Sequence, residues 1–235
     1  MKYIVSIIAY VLGALTLVIG LPLVTLCFYF LGSQGVCRLA SFMMRLLTAS
    51  FLVRVKLEGV ETVDRSKPHL YMSNHASFFD FLILAGYLPC NKRGLEAAEH
   101  FSWPIWGAFL RKSGMIPIDR SSPRASLKSI LHAADHLKEG ISILILPEGT
   151  RTRDGKMLPF KKLPFKLAKK GGSDIIPVGL IGTFNIKKKT SWVLNPGKVI
   201  MRFGDPIPAE TVESMEIEAL KDLTKERIRL LIGEE

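Results

Sequence analysis

Cysteines are few in this chain, and acidic residues are outnumbered by basic ones. The 235 residues contain three cysteines, Cys27, Cys37 and Cys90, which lack the spacing of a metal site or a disulfide framework, as is typical of a reducing compartment. Cys90 is interpreted as an ordinary thiol in a loop. Acidic residues number 21 against 32 basic ones, a net charge of +11. This surplus indicates an anionic partner, either a nucleic acid or an anionic membrane surface.

The chain also lacks several familiar catalytic and metal-binding patterns. No Gly-x-Ser-x-Gly motif occurs, which argues against a serine lipase or esterase. His132 and His136 have a spacing that suits zinc, but they lie off the apolar stripe of their predicted helix, which favours a solvated face. The stretch from Gly149 to Lys156 has one residue too many for a phosphate-binding loop, and Met157 stands where Ser or Thr would bind magnesium. No metal is therefore expected.

Charged side chains are missing from residues 4–31, a run long enough to cross a bilayer or to lie within one. Gly20 and Pro22 interrupt this run and predict two helices, over residues 4–19 and 22–47, as a hairpin in one leaflet, with a single span left open. Basic residues are denser after the run than before it, which predicts a body on the cytoplasmic side of the cell membrane. The expected division is an anchor, residues 1–48, and a main domain, residues 49–235.

Strands and helices alternate in the main domain, which predicts an α/β fold with a mixed, largely parallel sheet flanked by helices. The apolar strands at residues 69–73 and 141–146 each end in polar residues, and open α/β sheets bind ligands beyond such strand ends. Ser122-Pro123 is a typical helix start, and Gly140 ends that helix. Further strands are expected at residues 51–57, 115–118, 175–181 and 199–203, and further helices at residues 80–88, 101–112 and 211–232.

An imidazole and a carboxylate stand five positions apart in the stretch from Asn74 to Asp80. A regular helix would point His75 and Asp80 apart, so a turn leading into a helix is predicted to bring them together. A neutral imidazole can take a proton from an alcohol while the aspartate fixes its tautomer, which is the Ser-His-Asp arrangement with a substrate hydroxyl in place of serine. In isolation, the pattern also fits a hydrogen-bonded histidine and a helix-capping aspartate.

Four ordered blocks, at residues 74–80, 114–120, 146–151 and 175–178, follow the apolar N-terminal run. Together they resemble the 1-acyl-sn-glycerol-3-phosphate acyltransferase family, also called lysophosphatidic acid acyltransferases. The resemblance covers essentially the whole chain and implies a glycerolipid acyltransferase-like fold with residues 49–235 as the catalytic domain. It implies a membrane-bound enzyme of phospholipid biosynthesis that moves a fatty acyl chain from acyl-CoA or acyl-carrier protein to lysophosphatidic acid, giving phosphatidic acid.

The resemblance also implies a role for individual residues. His75 would be the general base, Asp80 would orient it, and the acceptor would attack the thioester directly without an acyl-enzyme. Arginine forks suit a phosphate, and a glycine lets backbone amides approach it. Glu148 would grip a glycerol hydroxyl. The implied substrate-binding residues are Arg120, Glu148, Gly149, Thr150 and Arg151. The implied partners are the lysophospholipid acceptor, the acyl donor and membrane lipids, with no metal or organic cofactor.

Two departures from the family pattern leave the acceptor open. The usual Ala-Lys-x-Glu-Leu stretch lacks its lysine at residues 96–100, and the usual Phe-Lys-x-Gly lacks its glycine at residues 160–163. Glycerol-3-phosphate or a lyso-aminolipid is therefore an alternative acceptor. The lysine clusters at residues 161–170 and 187–189 lack the interleaved aromatics of nucleic-acid readers, so anionic head groups or donor phosphates are expected and nucleic acid is not. For residues 187–189, a solvated face is the alternative. A non-catalytic, membrane-anchored lipid- or nucleic-acid-binding protein is the more distant alternative.

Overall fold

A seven-stranded sheet organises the fold in the computed structural model, which describes residues 2–89 and 91–234. Cys90 lies outside the described residues. The strands are β1 (Arg54–Glu58), β2 (Leu70–Ser73), β3 (Lys92–Ala97), β4 (Ile116–Ile118), β5 (Ser142–Ile145), β6 (Ile175–Ile181) and β7 (Lys198–Phe203). The helices are α1 (Lys2–Leu15), α2 (Leu21–Cys27), α3 (Ser33–Ser50), α4 (Phe79–Tyr87), α5 (Trp106–Lys112), α6 (Pro123–Lys138), α7 (Leu163–Gly171), α8 (Thr183–Ile186), α9 (Ala209–Ser214) and α10 (Ile217–Ile232).

The strand order is β1-β7-β6-β2-β5-β3-β4. Neighbouring strands run parallel except for β6 and β7, which are antiparallel. The prediction of a mixed, largely parallel sheet is therefore confirmed. Because β6, β2, β5, β3 and β4 share one direction, the loops that follow these five strands meet at the same edge of the sheet.

Helices cover both faces of the sheet, and the alternation of side chains along the strands separates two cores. On β2, Tyr71 packs with the layer that includes α3 and α4, where Met44 and Leu82 are buried. Leu70 and Met72 pack with the other layer, which includes α6, α7 and α10. Successive strand residues face opposite sides of a sheet. A strand covered on both sides is therefore apolar throughout, which explains the unbroken apolar runs that predicted β2 and β5.

The N-terminal helices depart from the predicted hairpin. A π-helical turn, Thr16–Gly20, joins α1 to α2, so the chain stays helical through Pro22 and turns only after Cys27. The predicted break at Gly20 and Pro22 is wrong because the wider π turn accommodates a residue without an N–H, and Pro22 occupies the first turn of α2. The hairpin is instead formed by the continuous helix 2–27 and by α3.

One side of this helical pair belongs to the protein core, and the other is exposed. Gly13 approaches Phe51 so closely that a Cβ atom would lie 2.3 Å from the ring. The predicted anchor, residues 1–48, therefore packs against the rest of the chain. Within the described residues, one helix, Lys2–Cys27, has the length and composition to cross a membrane. The exposed apolar residues on its outer side include Ile4, Ile8, Val11, Leu15, Val18, Ile19, Leu23 and Leu26, and such a surface is typical of a lipid or protein contact.

Most of the other predicted elements are confirmed, with shifted ends. Ser122 caps α6, since its Oγ accepts a hydrogen bond from the Ala125 N–H at 3.1 Å. The predicted helix 101–112 begins only at Trp106, after Pro104. The predicted helix 211–232 is two helices, because the two residues between α9 and α10 are extended. Strand β3 and helix α7 were not predicted, because charged side chains interrupt the apolar pattern in both.

Candidate active site

The loops after the parallel strands surround a cavity of about 440 Å³. His75 follows β2, Gly149 follows β5 and Arg120 follows β4, and all three line it. Glu96 of β3 and Lys161 complete its polar wall. The remaining lining is mostly apolar and includes Phe81, Leu95, Ile118, Ile130, Leu144 and Leu163. A cavity with a polar mouth and apolar walls suits an amphipathic ligand.

The predicted turn does bring His75 and Asp80 together. His75 Nδ1 lies 2.9 Å from Asp80 Oδ2, and the same oxygen accepts the N–H groups of Ala76 at 2.6 Å and Ser77 at 2.7 Å. Asp80 is fully buried in the first turn of α4, whereas the His75 side chain is 19% exposed. A carboxylate can only accept hydrogen bonds, so Nδ1 carries the proton and Nε2 is left to receive one.

We expect Asp80→Asn to lower the catalytic rate by about 10²- to 10⁴-fold without unfolding the turn. The amide oxygen can keep the hydrogen bonds from Ala76, Ser77 and His75, but the negative charge that stabilises an imidazolium is lost. Asp80→Ala would also leave the buried donors unpaired, and it should lower the melting temperature as well. Steady-state kinetics and thermal unfolding of the two variants check this; a fully active Asp80→Asn would remove Asp80 from the mechanism.

Glu148 has a different position from the one expected of a residue that grips a glycerol hydroxyl. It is only 2% exposed. Its Oε1 accepts the His75 N–H at 2.7 Å, and its Oε2 accepts the Leu158 N–H at 2.9 Å. Burial raises the pKa of Glu148 to about 7, against the opposing effect of the two backbone hydrogen bonds. Since β5 lies beside β2, this carboxyl group holds the backbone of the turn from Asn74 to Asp80 in place.

The turn after β5 supplies the other predicted binding residues. Gly149 has a φ of 71°, a left-handed conformation that favours glycine. One residue beyond the motif, the Thr152 N–H donates to the His75 carbonyl at 3.0 Å, which ties this turn to the histidine. Thr150 and Arg151 lie between these two points. The predicted substrate-binding residues Gly149, Thr150 and Arg151 therefore stand directly beside His75.

Arg120 and Arg151 are on different sides of the site. Strand β3 separates β4, which precedes Arg120, from β5, which precedes Arg151. Arg120 lines the cavity. The Arg151 carbonyl accepts a hydrogen bond from Lys189 Nζ, and the neighbouring Thr152 N–H donates to the His75 carbonyl, so Arg151 lies near the end of β2 and the segment that follows β6.

Four further residues make contacts at the site that the sequence does not predict: Asn74, Ser77, Lys187 and Lys189. The Asn74 side chain exchanges two hydrogen bonds with the Leu180 backbone, at 3.0 and 2.8 Å, which joins the end of β2 to β6. Ser77 Oγ donates to the Lys187 carbonyl at 2.8 Å. Lys189 Nζ donates to Thr150 Oγ1 at 3.1 Å. The partners lie far apart in sequence, so the basic run at residues 187–189 could not indicate that Lys187 and Lys189 lie beside this turn.

The stretch that departs from the family pattern forms its own pair at the cavity. His100 Nδ1 lies 2.7 Å from Glu96 Oε1, and Glu96 lines the cavity. Elsewhere, His136 pairs with Glu139 at 3.0 Å on the surface of α6. Within residues 2–89 and 91–234, no group of three or more His, Cys, Asp or Glu side chains is arranged to hold a metal ion.

The fold and the site together define an α/β protein with a histidine–aspartate pair at the strand ends, arranged to take a proton from a hydroxyl group. Comparison with known proteins agrees with this class: the family model described as Acyltransferase matches residues 54–181. The chain belongs to this acyltransferase family.

Curated relatives include several proteins named 1-acyl-sn-glycerol-3-phosphate acyltransferase. A chloroplast protein of Arabidopsis thaliana is 34% identical over 156 residues, 66% of this chain and 44% of that protein. A Limnanthes douglasii protein is 32% identical over 167 residues, 70% of this chain and 59% of that protein. A Saccharomyces cerevisiae protein is 31% identical over 168 residues, 69% of this chain and 54% of that protein. The chain thus spans about half the length of the curated relatives it matches.

A solved structure shares the fold. It is the crystal structure of the 1-acyl-sn-glycerophosphate acyltransferase of Thermotoga maritima, which superposes with a TM-score of 0.84 over 97% of this chain and 93% of that chain. The sequences are 22% identical. The predicted glycerolipid acyltransferase-like architecture is therefore confirmed as a fold.

Proposed function

We propose that this protein is a membrane-bound enzyme of phospholipid biosynthesis that transfers a fatty acyl chain from acyl-CoA or acyl-carrier protein to lysophosphatidic acid, giving phosphatidic acid. The observation that carries the proposal is the His75–Asp80 hydrogen bond of 2.9 Å at the mouth of a cavity with apolar walls. Family membership and the printed names of the curated relatives support the same reaction.

The proposed reaction needs one base and no covalent intermediate. His75 Nε2 takes the proton of the acceptor's hydroxyl, while Asp80 stabilises the imidazolium that forms. The acceptor oxygen forms a bond to the thioester carbonyl carbon, and the carbon–sulfur bond then breaks. The imidazolium returns its proton to the departing thiolate, so the histidine is neutral again. The apolar walls suit a fatty acyl chain during this exchange.

We further propose that the outer side of the N-terminal helices lies in one leaflet of the cell membrane, with the catalytic side facing the cytoplasm. This side is apolar along α1 and α2, whereas the inner side is packed against the body at both ends. Ser6 is buried against Leu194 near the start, and Phe28 packs against Phe109 after the end of α2, with ring centroids 5.7 Å apart. Because the helix 2–27 is attached to the body at both ends, an embedded hairpin is favoured over a separate membrane-spanning helix.

The test is acyl transfer from labelled acyl-CoA and from labelled acyl-carrier protein to lysophosphatidic acid, in detergent or lipid vesicles. We expect labelled phosphatidic acid with at least one donor. Failure to acylate any lysolipid or glycerol phosphate with either donor would refute the proposal.

The alternative is an acceptor with an amino head group. Family members often carry a lysine in this segment, whereas here the Glu96 carboxylate lines the cavity, and a carboxylate suits a positively charged amine. Competition between lysophosphatidic acid, glycerol-3-phosphate and a lyso-aminolipid distinguishes these acceptors. If the amino lipid competes best and Glu96→Gln removes that preference, lysophosphatidic acid is not the natural acceptor.

A further inference from the structure

Three cationic side chains converge beside the catalytic turn. Arg151 follows β5, whereas Lys187 and Lys189 follow α8, after β6. Lys189 Nζ donates to Thr150 Oγ1 at 3.1 Å and to the Arg151 carbonyl at 3.3 Å. Burial lowers the pKa of the Lys187 ammonium, and the positive charge of Arg151 lowers it further. The two segments therefore bring like charges together at one place.

No carboxylate of residues 2–89 or 91–234 is paired with these charges. Among the described residues, Arg151, Lys187 and Lys189 form no ion pair. The two buried carboxylates nearby accept hydrogen bonds from other groups. Asp80 accepts the Ala76 N–H, and Glu148 accepts the His75 N–H. Neighbouring positive charges repel one another, and an anion between them removes that repulsion. The arrangement is therefore suited to an anionic ligand.

The cluster is fixed to the catalytic turn on one side. The Lys187 carbonyl accepts the Ser77 hydroxyl, two residues from His75. Thr152, next to Arg151, donates its N–H to the His75 carbonyl. An anion held by these cations would thus lie beside the turn that carries His75.

The segment that carries Lys187 and Lys189 continues to Leu194, and there it is hydrogen-bonded to the apolar helix α1. Tyr10 Oη donates to the Trp192 carbonyl at 2.7 Å, and the Ser6 hydroxyl exchanges hydrogen bonds with the Leu194 backbone. The Tyr3 and Trp192 rings are both exposed, and their centroids lie 5.5 Å apart. Exposed tyrosine and tryptophan next to an apolar surface are typical of the membrane–water interface. The lysines therefore stand at the level of lipid head groups.

We propose that Lys187 and Lys189, together with Arg151, bind the phosphate monoester of the lipid acceptor at the membrane surface. This inference rests on the proposed acyl transfer. The acceptor carries its phosphate at the interface because its own acyl chain is in the bilayer, whereas the donor arrives from the aqueous side. Arg120, on the far side of β3, is left for the phosphates of the donor.

The run of three lysines contains a matched control. Lys188 is exposed, and its Nζ lies 5.3 Å from the centre of the Phe184 ring instead of donating to the Thr150–Arg151 turn as Lys189 does. We expect Lys187→Gln and Lys189→Gln each to raise the KM for lysophosphatidic acid by about tenfold, because each removes a charge-assisted contact. The donor KM should stay within about twofold, and Lys188→Gln, which removes the same charge, should behave as the wild type.

Three results would overturn the inference. The first is equal effects of all three variants, which indicates general attraction to an anionic surface. The second is a rise in the donor KM alone, which assigns the cluster to donor phosphates. The third is a direct binding measurement in detergent in which the wild type and the Lys187→Gln/Lys189→Gln double variant hold lysophosphatidic acid equally well. This binding assay needs no turnover, so it tests the phosphate site even if the wild type fails to acylate and the proposed function falls.

Discussion

Replacement of His75 by alanine is expected to lower the acyl-transfer rate by about 10²- to 10⁴-fold, the usual contribution of a positioned base. The loss should appear in kcat, because the acceptor hydroxyl must still be deprotonated when both substrates are bound. Binding of lysophosphatidic acid should change little, since the contacts proposed for its phosphate and acyl chain involve other residues. The measurement is steady-state transfer of a labelled acyl group, with a separate binding assay for the acceptor.

The matched control is His132→Ala, which removes an exposed histidine from α6 without touching the cavity. It should keep wild-type kinetics. The melting temperature of His75→Ala should remain near that of the wild type, since the backbone of the turn is held by Glu148 and Asp80. Transfer at the wild-type rate in a folded His75→Ala protein would show that the general base lies elsewhere.

Glu148→Ala is expected to destabilise the protein by about 2 to 6 kcal/mol, because it leaves two partly buried backbone donors without their carboxylate acceptor, at about 1 to 3 kcal/mol each. These donors are the N–H groups of His75 and Leu158. Glu148 is almost fully buried and is not expected to contact a substrate. Activity should nevertheless fall together with stability, because the turn that carries His75 loses its support. Thermal unfolding and acyl-transfer kinetics measure the two effects.

Glu148→Gln should be intermediate, because the amide keeps one acceptor oxygen and places a donor against the other N–H group. Glu139→Ala is the control, since it removes an exposed carboxyl group from the surface of α6. A Glu148→Gln variant with a raised KM for the acceptor, an unchanged kcat and wild-type stability would instead favour the direct contact with a substrate hydroxyl that the family resemblance implies.

The pH dependence provides an independent check on the buried carboxyl group. Its pKa is raised from the ordinary 4.5 to about 7. Between these values the folded protein keeps a proton that the unfolded chain has released. The stability from this group is therefore present at low pH and lost as the pH rises through about 7, by up to about 3 kcal/mol at 1.36 kcal/mol per pKa unit. The melting temperature of the wild type should fall relative to Glu148→Gln between pH 5 and pH 8; parallel curves would contradict this.

Several elements of the fold were predictable because their signals are local. The apolar runs of β2 and β5 reflect burial on both faces, and the Ser122 cap and Gly140 define the ends of α6. The N-terminal helices were harder, because the effect of Pro22 depends on a π turn that packing against α3 supports. Strand β3 was missed because its charged residues hide the strand pattern, and its place beside β5 comes from pairing within the sheet.

The sequence alone predicted the pairing of His75 with Asp80, the class of fold and the family, because these depend on residues that are neighbours in the chain or on blocks in a certain order. The turn from Asn74 to Asp80 contains both partners of its own hydrogen bond. The tertiary structure alone decided which backbone groups Glu148 accepts, the placement of Arg120 and Arg151 after different strands, and the approach of Lys187 and Lys189 to the site. These contacts depend on which strands lie side by side, and strand order is decided by long-range packing that no local pattern encodes.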